Sequence, residues 1–162
     1  MRKKVALLFA VVAAVCAGTR EQVEITSDRF EADEVKMISK FIGHVHMKKG
    51  PDELNASQVI VYFDAKRNPK RYEAIGNASF VVHMTKNDEY YTGKADKLVY
   101  KPVEQIYEFY GHVFLRQPRL DRTVKGDEVI VDRLSGKSSV KGNASKPVKF
   151  IFQVEEKSGK NR

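Results

Sequence analysis

The chain has 162 residues, enough for one domain of ordinary size. A single cysteine excludes an internal disulfide, so the fold must rest on an apolar core and hydrogen-bonded backbone. The net charge of +8 favours acidic partners such as phosphorylated lipid headgroups and does not single out nucleic acid.

Arg2, Lys3 and Lys4 open the chain, and the 13 residues 5–17 carry no charge. A basic start and a short apolar run read as a secretory signal, too short for a helix to cross a bilayer of ~30 Å. Cleavage is expected after Ala17, with Val15 and Ala17 in the small-residue places. Lipidation of Cys16 is the alternative, and Val15 before it fits that poorly. The expected division is a signal over residues 1–17, one β domain over residues 18–154 and a polar flexible tail over residues 155–162. Without Arg2, Lys3 and Lys4 the excess charge falls to about +5, a mild bias.

Two motifs then alternate along the chain. The first begins Asp28-Arg29-Phe30-Glu31-Ala32 and returns as Ser57-Gln58-Val59-Ile60-Val61, Asp96-Lys97-Leu98-Val99-Tyr100 and Asp127-Glu128-Val129-Ile130-Val131. The second is Gly43-His44-Val45, Gly76-Asn77-Ala78, Gly111-His112-Val113 and Gly142-Asn143-Ala144. Two interleaved motifs, four times over in the same order, mark a repeat architecture with a period near 33 residues. Within each motif apolar residues alternate with polar ones, the period of a strand with one buried face. Residues 72–84 illustrate this, with Tyr72, Ala74, Gly76, Ala78, Phe80, Val82 and Met84 on one side. Turn-forming stretches separate the strands at residues 49–52, 66–69, 86–88 and 135–137. No stretch beyond the signal has a helical period. The reading is therefore all-β, with eight to twelve or more antiparallel strands.

A glycine inside a strand marks a bend or a close approach. Four at equivalent places bend the strands at one height, folding the sheet into an apolar trough. The competing reading is that they only make room for an aromatic such as Phe80 or Tyr107.

These repeats, the Asp- or Ser-led strand and the Gly-Asn/His-Val/Ala strand, resemble the LptA/OstA-like family of periplasmic lipopolysaccharide-transport proteins over about residues 25–152. The resemblance implies an open antiparallel β-jelly roll with an apolar interior groove that shields lipid A acyl chains. It implies the periplasm as location. The implied partners are lipopolysaccharide, an LptC-like component at the inner membrane, an LptD-like component at the outer membrane, and further copies joined head to tail. Neither cofactor, metal nor catalytic residue is implied. The groove would be lined by Phe30, Phe41, Val45, Met47, Val59, Val61, Tyr72, Phe80, Val82, Met84, Leu98, Tyr100, Tyr107, Phe109, Val113, Leu115, Val129, Val131, Phe150 and Phe152. Head-to-tail joining would pair the strand at residues 148–154 with that at residues 23–33 of the next copy. Inward alternation alone equally describes a closed core, so a scaffold that binds no lipid and an anchored LptC-like adaptor stay open as alternatives.

Other motifs carry less. His44 and His46 share the outward side of a strand without a third ligand residue nearby in sequence, which reads as a solvated face rather than a metal site. His83 and His112 have the same outward parity. Lys66, Arg67, Lys70 and Arg71, and Arg116, Arg119, Arg122 and Lys125, fall at strand ends, where they either meet lipid phosphates or keep edges soluble. Asn55 sits in an acidic-extended glycosylation sequon, more simply explained by repeat ancestry. Nothing resembles a catalytic triad, and no basic face carries the interleaved aromatics of a nucleic-acid binder.

Overall fold

The computed structural model describes residues 22–83 and 89–156. The expected signal segment with Cys16, Met84, the turn expected at residues 86–88 and most of the expected tail, from residue 157, lie outside the described residues. Among the described residues ten strands follow one another: β1 (Val23–Thr26), β2 (Arg29–Asp33), β3 (Ile38–Lys49), β4 (Asp52–Phe63), β5 (Pro69–His83), β6 (Tyr90–Lys101), β7 (Ile106–Gln117), β8 (Arg122–Asp132), β9 (Lys137–Lys141) and β10 (Lys149–Ile151). A single 3-10 turn at Pro118–Leu120 is the only helical element among the described residues. All strands join one antiparallel sheet in which each long strand pairs with its chain neighbours. β1 and β2 share the edge of β3, and β9 and β10 share the edge of β8, so the sheet is open.

The expected repeats are adjacent hairpins. Their glycines lie where the register breaks. In β3, Gly43 and His44 together face Ser57 of β4, because Ile42 pairs with Gln58 while Val45 pairs with Ala56. Gly76 and Asn77 stand in the same way against Asp96, and Gly111 and His112 against Asp127. Two residues against one is a β-bulge, which bends a strand and tightens its twist. Both residues of each pair have positive φ: 82° and 44° for Gly43 and His44, 85° and 46° for Gly76 and Asn77, 76° and 47° for Gly111 and His112. Glycine takes that conformation freely, and Asn and His are among the side chains that tolerate it best. Bending is thus the role of these glycines. The aromatic is accommodated elsewhere: a Cβ at Gly93 would strike the Phe80 ring and come within 2.8 Å of Leu115. Gly142 departs from the pattern. It follows β9 rather than interrupting a strand, and a Cβ there would press on the backbone of Lys146 to Val148.

The bulges form a line across the sheet. On its outer side Asp28 accepts from His44 Nδ1 at 2.6 Å and Asp96 from His112 Nδ1 at 2.8 Å. Asp127 accepts from Asn143, and Ser57 donates to the Gly76 carbonyl at 3.2 Å. The motif-leading Asp and Ser therefore brace the crease from outside.

The crease also changes parity. β5 and β7 keep their inward alternation across it, whereas the strands facing the two-residue bulges reverse. In β4, Val59 and Val61 point inward above the crease, but Ala56 and Leu54 below it. In β6 the inward residues change from Leu98 and Tyr100 to Ala95. Strict alternation from the sequence thus omitted Ile25, Leu54, Ala56 and Ala95, all part of the core or packed on it.

The core occupies the fold of the sheet, with Val45, Val59, Val113 and Val129 fully buried. Val99 is equally buried on the outer face. Beside it Glu73 is held by Arg71 at 2.5 Å and Lys97 at 3.4 Å, and Glu108 by Lys101 at 2.6 Å and Tyr110 at 2.8 Å.

Candidate functional site: an apolar groove

Strands bent at one height bring their two halves face to face. Phe80, beyond the crease of β5, stacks on Phe109, before the crease of β7, at 4.9 Å between ring centres. The aromatic row continues along the inner face. Tyr107 lies 6.4 Å from Phe109, Tyr100 lies 4.4 Å from Tyr107, and Tyr72 lies 6.1 Å from Tyr100. Such pairs add about 0.5–1.5 kcal/mol each beyond their burial. Burial and the neighbouring Tyr100 push the Tyr107 hydroxyl up to about 12, and burial also raises Tyr72. Both stay neutral, so the row behaves as an apolar surface with hydroxyl tips.

Between the halves, towards the C-terminal edge, lies a cavity of about 310 Å³. Its walls are Phe80, Val82, Tyr91, Tyr107, Phe109, Leu115, Val124, Val129, Val131, Val140 and Phe150, with Arg116, Gln117, Arg122, Arg133 and Ser138 among them. Apolar walls with a few polar groups are what an amphiphile site requires.

The residues expected to line the groove divide by place. Val45, Val59, Val61, Phe80, Leu98, Phe109, Val113 and Val129 are buried. Phe41, Tyr72, Val82, Tyr100, Tyr107, Leu115 and Val131 are half-buried against them, and Met47 is half-buried in β3. Phe30, Phe150 and Phe152 are more than half exposed. Phe30 stacks on Phe41 at 5.0 Å, Phe150 joins the cavity wall from β10, and Phe152 follows the end of that strand. Met84 falls outside the described residues. Tyr91, Val124 and Val140 are wall residues that alternation did not reveal. Tyr91 and Val124 lie beyond the parity reversal in β6 and β8, and Val140 leads into the fourth glycine. Their only signal is register with Val82, Leu115 and Val129 respectively, which tertiary pairing supplies.

The histidines stand on the outer face. His46 Nδ1 lies 2.7 Å from Asn55 Oδ1, and no group of three metal-ligand side chains occurs among the described residues. Asn55 is thereby engaged in a side-chain pair. Of the basic residues, Arg116 and Arg122 reach the cavity, Arg71 is committed to Glu73, and Lys125 lies over the Phe114 ring at 5.7 Å.

Two comparisons bear on this architecture. Residues 24–137 match the family described as LptA/(LptD N-terminal domain) LPS transport protein. The fold is similar to the crystal structure of LptH, the LptA-homologous periplasmic component of the conserved lipopolysaccharide transport device from Pseudomonas aeruginosa. That likeness has a TM-score of 0.72 at 13% identity and covers 83% of this chain and 96% of that one. No curated protein matches the chain in sequence.

Proposed function

The chain belongs to the LptA and LptD N-terminal domain family of lipopolysaccharide transport proteins, and we propose that it holds the acyl chains of lipid A in its groove while lipopolysaccharide crosses the periplasm. The observation that carries this reading is the apolar cavity left between the folded halves of an unclosed sheet. Each acyl CH₂ kept from water is worth ~0.8 kcal/mol, so one 14-carbon chain exposed during transfer would cost on the order of 10 kcal/mol. A groove of aromatic and branched aliphatic walls removes that cost without chemistry. The polypeptide needs no catalytic group for this task, and the energy for movement would come from membrane partners.

Assembly would use the open edges. Val23 and Phe30 are exposed at one edge, and Phe150, Ile151 and Phe152 at the other. Strand addition between β1–β2 of one copy and β9–β10 of the next would align grooves head to tail without closing a ring. The same edges would meet LptC-like and LptD-like components at the two membranes. Residues 1–17 would act as the cleaved signal that delivers the chain to the periplasm.

Photo-cross-linkers at Val82, Tyr107 and Phe150 test the groove with purified lipopolysaccharide. Cross-links at all three, absent at the outward controls His44 and His112, are the expected result. A folded protein that cross-links at none of them overturns lipid carriage in favour of a scaffold.

A further inference from the structure

The polar groups of the cavity are not scattered. β8 begins at Arg122 and ends at Asp132, with Arg133 next in the chain. Eleven residues of flat strand would hold their ends ~35 Å apart. Both Arg122 and Arg133 nevertheless line the one cavity, because the strand is creased at Asp127. Each guanidinium stands near a wall tyrosine. The charge of Arg133 acts on the Tyr107 hydroxyl on one lip, and that of Arg122 on Tyr91 on the other. Arg116 and Gln117 adjoin Arg122 through the β7–β8 register. Among the described residues neither Arg122 nor Arg133 forms an ion pair with a carboxylate. The acids nearby are Glu89, which accepts from Gln117 at 2.9 Å, Asp121, 3.9 Å from Arg116, and Asp52, whose field reaches Tyr107. An arginine without a carboxylate, at the mouth of an apolar cavity, is a site for phosphate, which it binds by two parallel hydrogen bonds.

We propose that Arg122 and Arg133 form a two-lipped anion clamp, so that the cavity selects amphiphiles bearing a phosphate towards each lip over those bearing one or none. The clamp rests on the groove reading above and adds headgroup specificity to it. It predicts that acyl chains alone enter weakly and that a bisphosphorylated glycolipid is held at both ends.

The test measures binding of three probes to the mature chain: bisphosphoryl lipid A, its monophosphoryl form, and a neutral alkyl glucoside. Arg122→Gln and Arg133→Gln are each expected to weaken the bisphosphoryl probe about tenfold, the worth of a charge-assisted pair. Both substitutions should leave the neutral probe unchanged, and only one of them should affect the monophosphoryl probe. Equal losses on the neutral probe would overturn the clamp by assigning both arginines to packing. Unchanged binding of the bisphosphoryl probe would overturn it directly. If the wild-type chain binds charged and neutral probes equally, the clamp fails while the groove stands; if it binds none, the groove itself fails. Circular dichroism of each variant confirms the β fold before titration.

Discussion

At Gly111 the backbone has φ of 76°, and a Cβ would collide with the Asp96 carboxylate. Gly50 has φ of 57° but open space around it. Comparing Gly111→Ala with Gly50→Ala therefore separates strain from collision. The Gly50 variant should lose about 1 kcal/mol, the left-handed penalty alone, and the Gly111 variant about 2–4 kcal/mol, by urea denaturation. Equal losses would mean that Asp96 yields and does not brace the crease. His44, beside Gly43 at the equivalent bulge, adds a pH dependence. Hydrogen bonding and charge from Asp28 raise the His44 pKa above its ordinary 6.5. A group raised on folding stabilises the protein below its unfolded value and loses that contribution as pH rises through the folded value. Asn is the natural control, because Asn77 occupies the equivalent place with the same positive φ. The melting temperature of the wild type relative to His44→Asn should thus be highest below pH 6.5 and decline as pH rises above it. A difference that is constant from pH 5 to 8.5 would remove the Asp28 pair from the account.

Strands of 11 to 15 residues are long for a protein of this size, and the bulges make each serve as two half-strands. The two halves then cover opposite walls of one groove. At the C-terminal edge the division is carried further, since β9 and β10 pair with separate halves of β8 around Gly142. β10 is short, with only Lys149, Phe150 and Ile151 in register, and its side chains are exposed. Removing residues from 148 onward uncovers Thr123 to Lys125 of β8 and deletes the apolar face that would meet the next copy. The truncated chain should remain folded, because the buried cluster ends at Val129, and should be monomeric at high concentration. Light scattering that shows the same oligomers as the full chain would defeat edge-to-edge assembly. Within the walls, Phe80 is packed between Phe109 and Gly93, so replacing it removes core as well as lining. Val82 is half-buried at the cavity margin. Val82→Arg should abolish lipid cross-linking and cost less than about 2 kcal/mol of stability, because the arginine stem can lie along the wall with its head in water. Retained cross-linking in that variant would place the acyl chains elsewhere.

For the molecule as a whole, alternation and the four-fold motif were legible in the residues because both are local. A period of two with apolar residues on one side dictates strands, and motifs that recur in order dictate stacked hairpins of one kind. The buried wall of β5 and β7 could be read directly, since Tyr72, Ala74, Ala78, Phe80, Phe109 and Val113 keep one parity throughout. The other wall could not. Ser57, Asp96 and Asp127 stand in sequence as motif leaders, and nothing local says that each faces two residues of the preceding strand and thereby inverts its own. That inversion moves Leu54, Ala56 and Ala95 into the core and Tyr91 and Val124 into the groove. It is a property of pairing between strands, as is the reach to a common cavity of Arg122 and Arg133, at the start of β8 and just past its end. The sequence by itself thus determined the strands, their repeat and the family. Only the tertiary structure decided which side chains face inward beyond each crease and how the two ends of a strand come to share one groove, because register and bending arise between strands rather than along them.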